Sequence, residues 1–314
     1  MKKERGGSIP PPTFVMKRKD VMKRNRKKEW IAGCFFILPS LVLLFVLVFY
    51  PLFLTFRYTL YDISLTSTRY LGWATYQRLF AHRMLPLIFR NSLVWTIVVV
   101  VFQFLLGLSS ALLLNRSFPG RGLARGLVIL PWVMPGVIAG MVWRLIYDPQ
   151  LGLLNHYLRQ LGIIAQPFTW LSHPKTALYA VIFSAIWKGF PFSTLMYLAG
   201  LQIVPQELYE AAEIDGAGGW MKFTNVTLPS MRPIITTTLL LTFIWTFNYF
   251  ELVYVMTGGG PAEKSHIFPT YVYDLAFKRF RFGLASQFAV LDFLFLLVFS
   301  LLYIRTSFRR EKSL

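Results

Sequence analysis

The chain has 314 residues, of which 55% are hydrophobic, 17% aromatic and only 15% charged, and this composition argues against a soluble domain. Its net charge of +19 is concentrated in residues 1–29, which hold eleven Lys or Arg against three acids. This basic stretch adjoins an apolar one, so attraction to anionic lipid explains it more simply than binding to nucleic acid.

The N-terminal third predicts a tail, a membrane anchor and an exported loop. Residues 1–28 have the Gly, Pro and charge content of a disordered cytoplasmic tail. The apolar run within 29–54 is too long for a signal-peptide core, and it predicts the first transmembrane helix. Residues 55–88 predict an extracytoplasmic loop with short interfacial helices. Cys34, the only cysteine, lies in the apolar run and is interpreted as a small buried hydrophobe.

Five more apolar runs follow, and they predict a core over residues 89–305 with a short cytoplasmic tail at 306–314. The predicted spans are Asn91–Asn115, Leu127–Tyr147, Ala177–Leu201, Ile234–Thr257 and Leu284–Ile304. An excess of Lys and Arg marks the cytoplasmic side of a membrane protein. If both termini are cytoplasmic, the inner segments hold 20 Lys or Arg and the outer loops hold 11, which favours this orientation. The predicted fold is therefore all-α and polytopic, with six transmembrane helices.

The longest polar interruption of the second half is residues 205–233, hereafter the coupling segment. Pro205 suits the first position of a helix, and Glu207 is favoured in its first turn. Gly216 then allows a tight turn before a second short helix. The motif residues, in three short groups, are Glu210, Ala211 and Ala212, then Asp215, Gly216 and Ala217, then Leu228 and Pro229.

This pattern resembles the EAA loop of ABC importer permeases. The resemblance implies a cytoplasmic helix that sits in a cleft of a separate ATPase subunit. The alternative is an ordinary amphipathic hairpin at the membrane surface. The small Ala211 and Ala212 favour docking, because they let another backbone come close.

Other motifs are similar to the maltose-type, sugar-importing branch of these permeases. They are Gly152–Asn155, Trp187–Phe192, Ala199–Leu201 and Thr257–Pro261. The resemblance implies a type I ABC importer permease in a bacterial or archaeal inner membrane. Its implied partners are a second homologous permease, two ATPase subunits and an extracytoplasmic sugar-binding protein.

The chain has no nucleotide-binding motif or metal motif of its own. The nearest approach to a phosphate-binding loop is Gly258–Ser265, but Glu263 occupies its second glycine position. The four histidines are scattered, without metal-ligand spacing. We therefore expect a non-catalytic subunit without cofactor, whose partner ATPases bind the ATP.

Aromatic and polar side chains in the predicted spans are candidates for binding a sugar, since aromatic planes pack on sugar rings. The candidates are Trp132, Trp187, Lys188, Gly189, Phe192, Thr242, Trp245, Thr246, Asn248, Tyr249 and Glu251. Aromatic residues also pack helices together and form interfacial belts, so packing is the competing interpretation. Where the maltose permease offers amides, this chain has Ala185 and Tyr249.

Two acidic residues within apolar spans leave another function open. Charged groups at membrane depth are costly and often functional, so Glu251 and Asp292 would also suit a proton-coupled secondary transporter. An intramembrane enzyme is a weaker alternative, because no nucleophile or metal partner accompanies them. ATP dependence of uptake separates the first two classes.

Overall fold

A computed structural model describes the backbone of residues 34–311 and the side chains of residues 34–307. The predicted tail 1–28, the start of the first span and residues 312–314 lie outside this range. The chain divides into two units, one ending at Arg57 and the other beginning at Tyr58.

The described part of the first unit is most of one apolar helix, α1 (Cys34–Tyr58), with a π-helical turn at Phe45–Phe49. None of its most apolar stretch is buried within the chain, as suits a lipid-facing helix. The prediction that Cys34 is buried is wrong, since its side chain is exposed. An apolar run predicts burial away from water, and lipid satisfies that as well as protein does.

The second unit begins with a small subdomain, which we call the outer subdomain after the predicted position of residues 55–88. Strands β1 (Tyr61–Ile63) and β2 (Thr68–Tyr70) form an antiparallel hairpin, followed by α2 (Ala74–Phe80). The prediction for 55–88, a loop with short helices, did not include this hairpin. Helix α3 (Leu85–Asn115) also starts earlier than predicted, because Pro86 suits a first helical turn and apolar residues continue upstream of Asn91.

The remaining helices follow in chain order. They are α4 (Arg121–Val133), α5 (Gly136–Ile146), α6 (Leu153–Gln160), α7 (Ala177–Ile203), α8 (Gln206–Ile214), α9 (Gly219–Lys222), α10 (Leu228–Phe247), α11 (Glu251–Thr257), α12 (Phe268–Tyr273) and α13 (Phe282–Glu311). A π-helical turn, Phe223–Thr227, joins α9 to α10.

Helices α3 and α7 form the centre of the second unit and pack along their lengths. Gly107 of α3 lies so close to Ser193 of α7 that a methyl group there would clash with the Ser193 Cβ. Helix α7 is continuous through Gly189 and Pro191. A transmembrane helix tolerates an internal proline when its surroundings satisfy the freed carbonyl.

The third predicted span, Leu127–Tyr147, is not one helix. Helices α4 and α5 meet at an angle of 96°. Met134 has an extended backbone and precedes Pro135, and a residue before proline is disfavoured in the helical region. The fifth span also divides, since α10 ends at Phe247 and α11 starts at Glu251.

Candidate substrate cavity and coupling segment

The central cavity lies between α3, α4, α7 and α10 and has a volume of about 120 Å³. Its lining includes eight of the predicted sugar-binding residues: Trp132, Lys188, Gly189, Phe192, Thr242, Trp245, Thr246 and Tyr249. Ala185, the position where the maltose permease offers an amide, lines it too. The structure therefore brings together residues from sequence positions 132 to 249.

Aromatic rings form two walls of the central cavity. The Phe192 ring lies between Trp132 and Trp245, at centroid distances of 5.9 and 5.0 Å. On the other side, Trp95 and Tyr249 are nearly parallel, with centroids 6.4 Å apart. Trp245 lines the central cavity and remains 52% exposed in this chain.

Helix α3 supplies cavity residues that the sequence analysis missed: Trp95, Val99 and Gln103. Their spacing of four residues places them on one helix face, and this signal was present in the sequence. Two of them bind neighbouring backbones, since Trp95 Nε1 donates to Thr246 O over 2.8 Å and Gln103 Nε2 donates to Ala185 O over 3.0 Å.

Gly189 contributes space rather than a binding group. A methyl group at this position would collide with the side-chain amide of Gln103. The absence of a side chain therefore lets α3 and α7 approach while Gln103 bonds to Ala185.

Two polar groups of the central cavity form no hydrogen bond or ion pair among the described residues. Within residues 34–307, no carboxylate lies within ion-pairing distance of Lys188. The buried Tyr249 hydroxyl likewise has no hydrogen-bond partner there. Unpaired polar groups are costly inside a protein, so a ligand that bonds to both would be favoured.

Three predicted sugar-binding residues do not line the central cavity. Trp187 packs edge to face on Trp143, with centroids 5.5 Å apart, in the hydrophobic core. Asn248 is exposed, and its amide donates weakly to Ile244 O at 3.4 Å. Glu251 begins α11, and its carboxylate lies against Gly136, where a methyl group would clash.

Asp292 also lies away from the central cavity lining. Its Oδ1 atom is buried and has no hydrogen-bond partner among the described residues.

The coupling segment has a well-defined turn. Gly216 adopts a left-handed conformation with φ of +79°. The backbone N–H of Ala217 donates to Ala212 O over 2.8 Å, and that of Gly216 donates to Glu213 O over 3.0 Å. This pair of bonds is the Schellman arrangement, which satisfies carbonyls at a helix end. Pro205 precedes the helix as its cap, one position earlier than predicted.

The coupling segment is held by few contacts. Helix α8 has no buried residue, although Glu213 pairs with Lys222 at 3.2 Å and the Tyr209 hydroxyl lies 3.0 Å from that of Thr227. Ile214 is 87% exposed and Trp220 is 76% exposed. Leu228 and Pro229 lie in the first turn of α10, where Leu228 packs on the core.

The described helices have the length and composition of a polytopic membrane protein. Five are long and apolar enough to cross a membrane, and the bent α4–α5 pair would make a sixth span. No cluster of three metal-ligating side chains occurs among the described residues.

Comparison with known proteins gives consistent matches. Residues 103–311 match the family described as binding-protein-dependent transport system inner membrane component. The trehalose/maltose transport system permease protein MalF of Thermococcus litoralis is 35% identical over 298 residues, covering 93% of this chain and 99% of that protein. The sulfoquinovosyl glycerol transport system permease protein SmoG of Agrobacterium fabrum is 29% identical over 303 residues, covering 94% and 98%.

Among solved structures, a bacterial ABC transporter involved in the import of the acidic polysaccharide alginate matches with a TM-score of 0.79. It is 22% identical, and the match covers 92% of this chain and 98% of that chain. This likeness confirms the predicted all-α permease fold. The chain therefore belongs to the family of binding-protein-dependent transport system inner membrane components, the permease subunits of ABC importers.

Proposed function

We propose that the chain is a permease subunit of an ATP-driven carbohydrate importer and forms one half of its translocation pathway. The observation that carries this proposal is the central cavity, where aromatic rings stand beside Lys188 and the Tyr249 hydroxyl. Neither group forms a hydrogen bond or ion pair within the described part of the chain. Such a surface suits a sugar, whose C–H faces pack on rings while its hydroxyls bond to polar groups. The names of the trehalose/maltose and sulfoquinovosyl glycerol permeases support the same substrate class.

The size of the central cavity supports a second permease as partner. Ligand pockets usually hold roughly 300–1,000 Å³, whereas this cavity holds about 120 Å³. A homologous subunit facing the exposed side of Trp245 would complete a site of suitable size. An extracytoplasmic binding protein delivers the sugar, as the complex of the alginate transporter with its periplasmic protein suggests by analogy.

The coupling segment connects this pathway to a separate ATPase. Its capped helix has exposed apolar side chains at Ile214 and Trp220, which a partner cleft would bury. Closure of the ATPases moves the segment and the attached α10, so that the cavity opens alternately to the two sides. The chain itself is non-catalytic, and its partners bind the ATP.

A proton-coupled carrier using Glu251 and Asp292 has less support. Neither residue lines the central cavity, and the relatives belong to ABC transport systems. Uptake that persists without ATP and follows a proton gradient would restore this alternative.

Substitution of the cavity aromatics tests the proposal in proteoliposomes that contain the complete importer. Trp245→Ala and Tyr249→Ala should each weaken sugar uptake by a factor of about five, since an aromatic contact contributes about 1 kcal/mol beyond its buried area. Trp73→Ala, which removes an exposed ring of the outer subdomain, is the matched control. Assembly and basal ATPase activity should persist in all three variants. Unchanged uptake in both cavity variants would show that these rings only pack the helices.

A further inference from the structure

A second pocket lies beyond the C-terminal end of α5, and we call it the outer pocket. It has a volume of about 350 Å³, within the range of roughly 300–1,000 Å³ that is usual for ligand pockets. Three segments line it: Arg144–Pro149, Thr169–Ser172 and the Met256–Pro261 region. The sequence motifs at 152–155 and 257–261 thus meet beside one pocket, although neither belongs to the central cavity.

The walls of the outer pocket are firmly held. Asn155 is only 3% exposed, and its amide bonds to both sides of the 148–170 loop. Its Nδ2 donates to Phe168 O over 3.0 Å, and its Oδ1 accepts from Trp170 Nε1 over 2.9 Å. On the opposite wall, the Ser265 hydroxyl donates to Thr257 Oγ1 over 2.8 Å. The pocket is therefore formed before any ligand arrives.

The outer pocket presents both hydrogen-bond donors and acceptors. Arg144 Nη1 donates a hydrogen bond to Val255 O over 3.3 Å. Most of the five N–H donors of this guanidinium therefore have no hydrogen-bond partner among the described residues. Asp148 Oδ1 accepts the backbone N–H groups of Leu151 and Gln150 at 2.8 and 2.9 Å. These bonds lower the pKa of the Asp148 carboxyl, so it is ionised at neutral pH with Oδ2 left to accept.

The outer pocket and the central cavity lie along the same helices. Gly136 at the start of α5 approaches Tyr249 of the central cavity. Arg144 follows eight residues later, which is roughly 12 Å along a helix. Between them, Gly140 packs tightly against Val255 of α11. A solute that moves inward along α5 and α11 therefore passes the outer pocket first.

From this arrangement we propose that the outer pocket is a second carbohydrate subsite, which holds one sugar unit before it reaches the central cavity. A neutral polyol fits walls that carry one cation, one anion and the Trp170 ring. A charged side chain of a binding protein fits less well, because the pocket has both signs of charge. This inference rests on the proposed carbohydrate transport.

A labelling experiment on the assembled importer tests the subsite. Cys34→Ala removes the only cysteine of this chain. In that background, Ser172→Cys reports on the outer pocket, and Gln160→Cys, exposed at the end of α6, is the matched control. Proteoliposomes are treated with an impermeant maleimide, with and without maltose or trehalose and without binding protein. Sugar at ten times its dissociation constant should slow labelling of the Ser172→Cys variant about tenfold and leave labelling of the Gln160→Cys variant unchanged.

Further measurements distinguish failure of the outer subsite from failure of the proposed function. Arg144→Gln should remove most of the protection by sugar at the same concentration. The inference is overturned if sugar gives no protection, if Arg144→Gln leaves protection intact, or if sugar-free binding protein alone protects the thiol of the Ser172→Cys variant. Sugar uptake is measured in the same vesicles. Normal uptake without protection refutes only the outer subsite, whereas absence of ATP-dependent uptake for every sugar refutes the proposed function.

Discussion

The loop beside the outer pocket and the coupling segment are both irregular connections, yet they are stabilised in opposite ways. Residues 148–176 are tied together by the buried Asn155, whose amide bonds to backbone and side chain across the loop. The coupling segment has no buried residue in α8, and its order comes from local capping at Gly216. The first is shaped by its own side chains, while the second leaves apolar side chains uncovered within this chain.

This difference separates two kinds of functional loop. A pocket that receives a small solute must exist before the solute arrives, so its polar groups bond to each other. A surface that transmits force to another subunit must instead expose apolar groups for that subunit to cover. Ile214 and Trp220 are exposed in this way.

The largest expected effect is at the turn of the coupling segment. Gly216→Val places a β-branched residue at φ of +79°, which valine avoids. We expect uptake and co-purification of the ATPase to be lost while membrane insertion is retained. Gly162→Val is a matched control, because Gly162 has φ of +69° and equally open surroundings in the other loop. Normal uptake by Gly216→Val would contradict the coupling role.

The next largest effect concerns the stability of the loop at residues 148–176, beside the outer pocket. Asn155→Ala leaves the Trp170 indole N–H and the Phe168 backbone N–H without their partner. An unsatisfied buried donor costs roughly 1–3 kcal/mol, and these two donors are half-buried, so we expect the free energy of unfolding to fall by about 2 kcal/mol. Thermal unfolding in detergent measures this change. Asn115→Ala, at the exposed end of α3, should have little effect. Equal Tm values for both variants would show that the Asn155 bonds do not stabilise the loop.

Sequence reasoning succeeded where a pattern reports directly on local structure. The helix, glycine turn and second helix of the coupling segment were predicted, because Gly216 and the flanking residues act locally. Eight of the eleven residues predicted to bind sugar line one cavity. Whether they bind sugar stays a prediction.

Other features depend on tertiary contacts that one sequence does not display. Trp187 and Trp245 have equal chemistry, yet α7 turns Trp187 into the core, whereas Trp245 remains exposed. The α4–α5 bend arises from the Met134-Pro135 pair inside an otherwise continuous apolar run. A search for apolar runs therefore finds the span and misses its break.

A pH-dependent effect on stability should arise at His266. Burial lowers the pKa of His266 from 6.5 to about 4, so this side chain is neutral in the native state. The charged groups that act on it are Glu263, Asp274, Lys278 and Arg279. Below pH 6.5 the His266 side chain binds a proton in the unfolded chain but not in the native chain. The free energy of unfolding should therefore fall as pH drops toward 4, by up to about 3 kcal/mol.

Thermal unfolding across this pH range measures the loss. His266→Gln should reduce the dependence on pH, whereas His156→Gln, at an exposed position of α6, should leave it unchanged. If the unsubstituted protein and the two variants show the same pH dependence, His266 is not its source.

The proposed function requires that residues 148–176 and the coupling segment lie on opposite sides of the membrane. In the Cys34→Ala background, Gly218→Cys marks the coupling segment, where a side chain has open space, and Gln160→Cys marks the outer loop. Right-side-out vesicles are treated with an impermeant maleimide before and after permeabilisation. The account predicts that the Gln160→Cys variant reacts at once and that the Gly218→Cys variant reacts only after permeabilisation. Labelling of the Gly218→Cys variant in intact vesicles would place the coupling segment outside, where no ATPase could reach it, and would contradict the account.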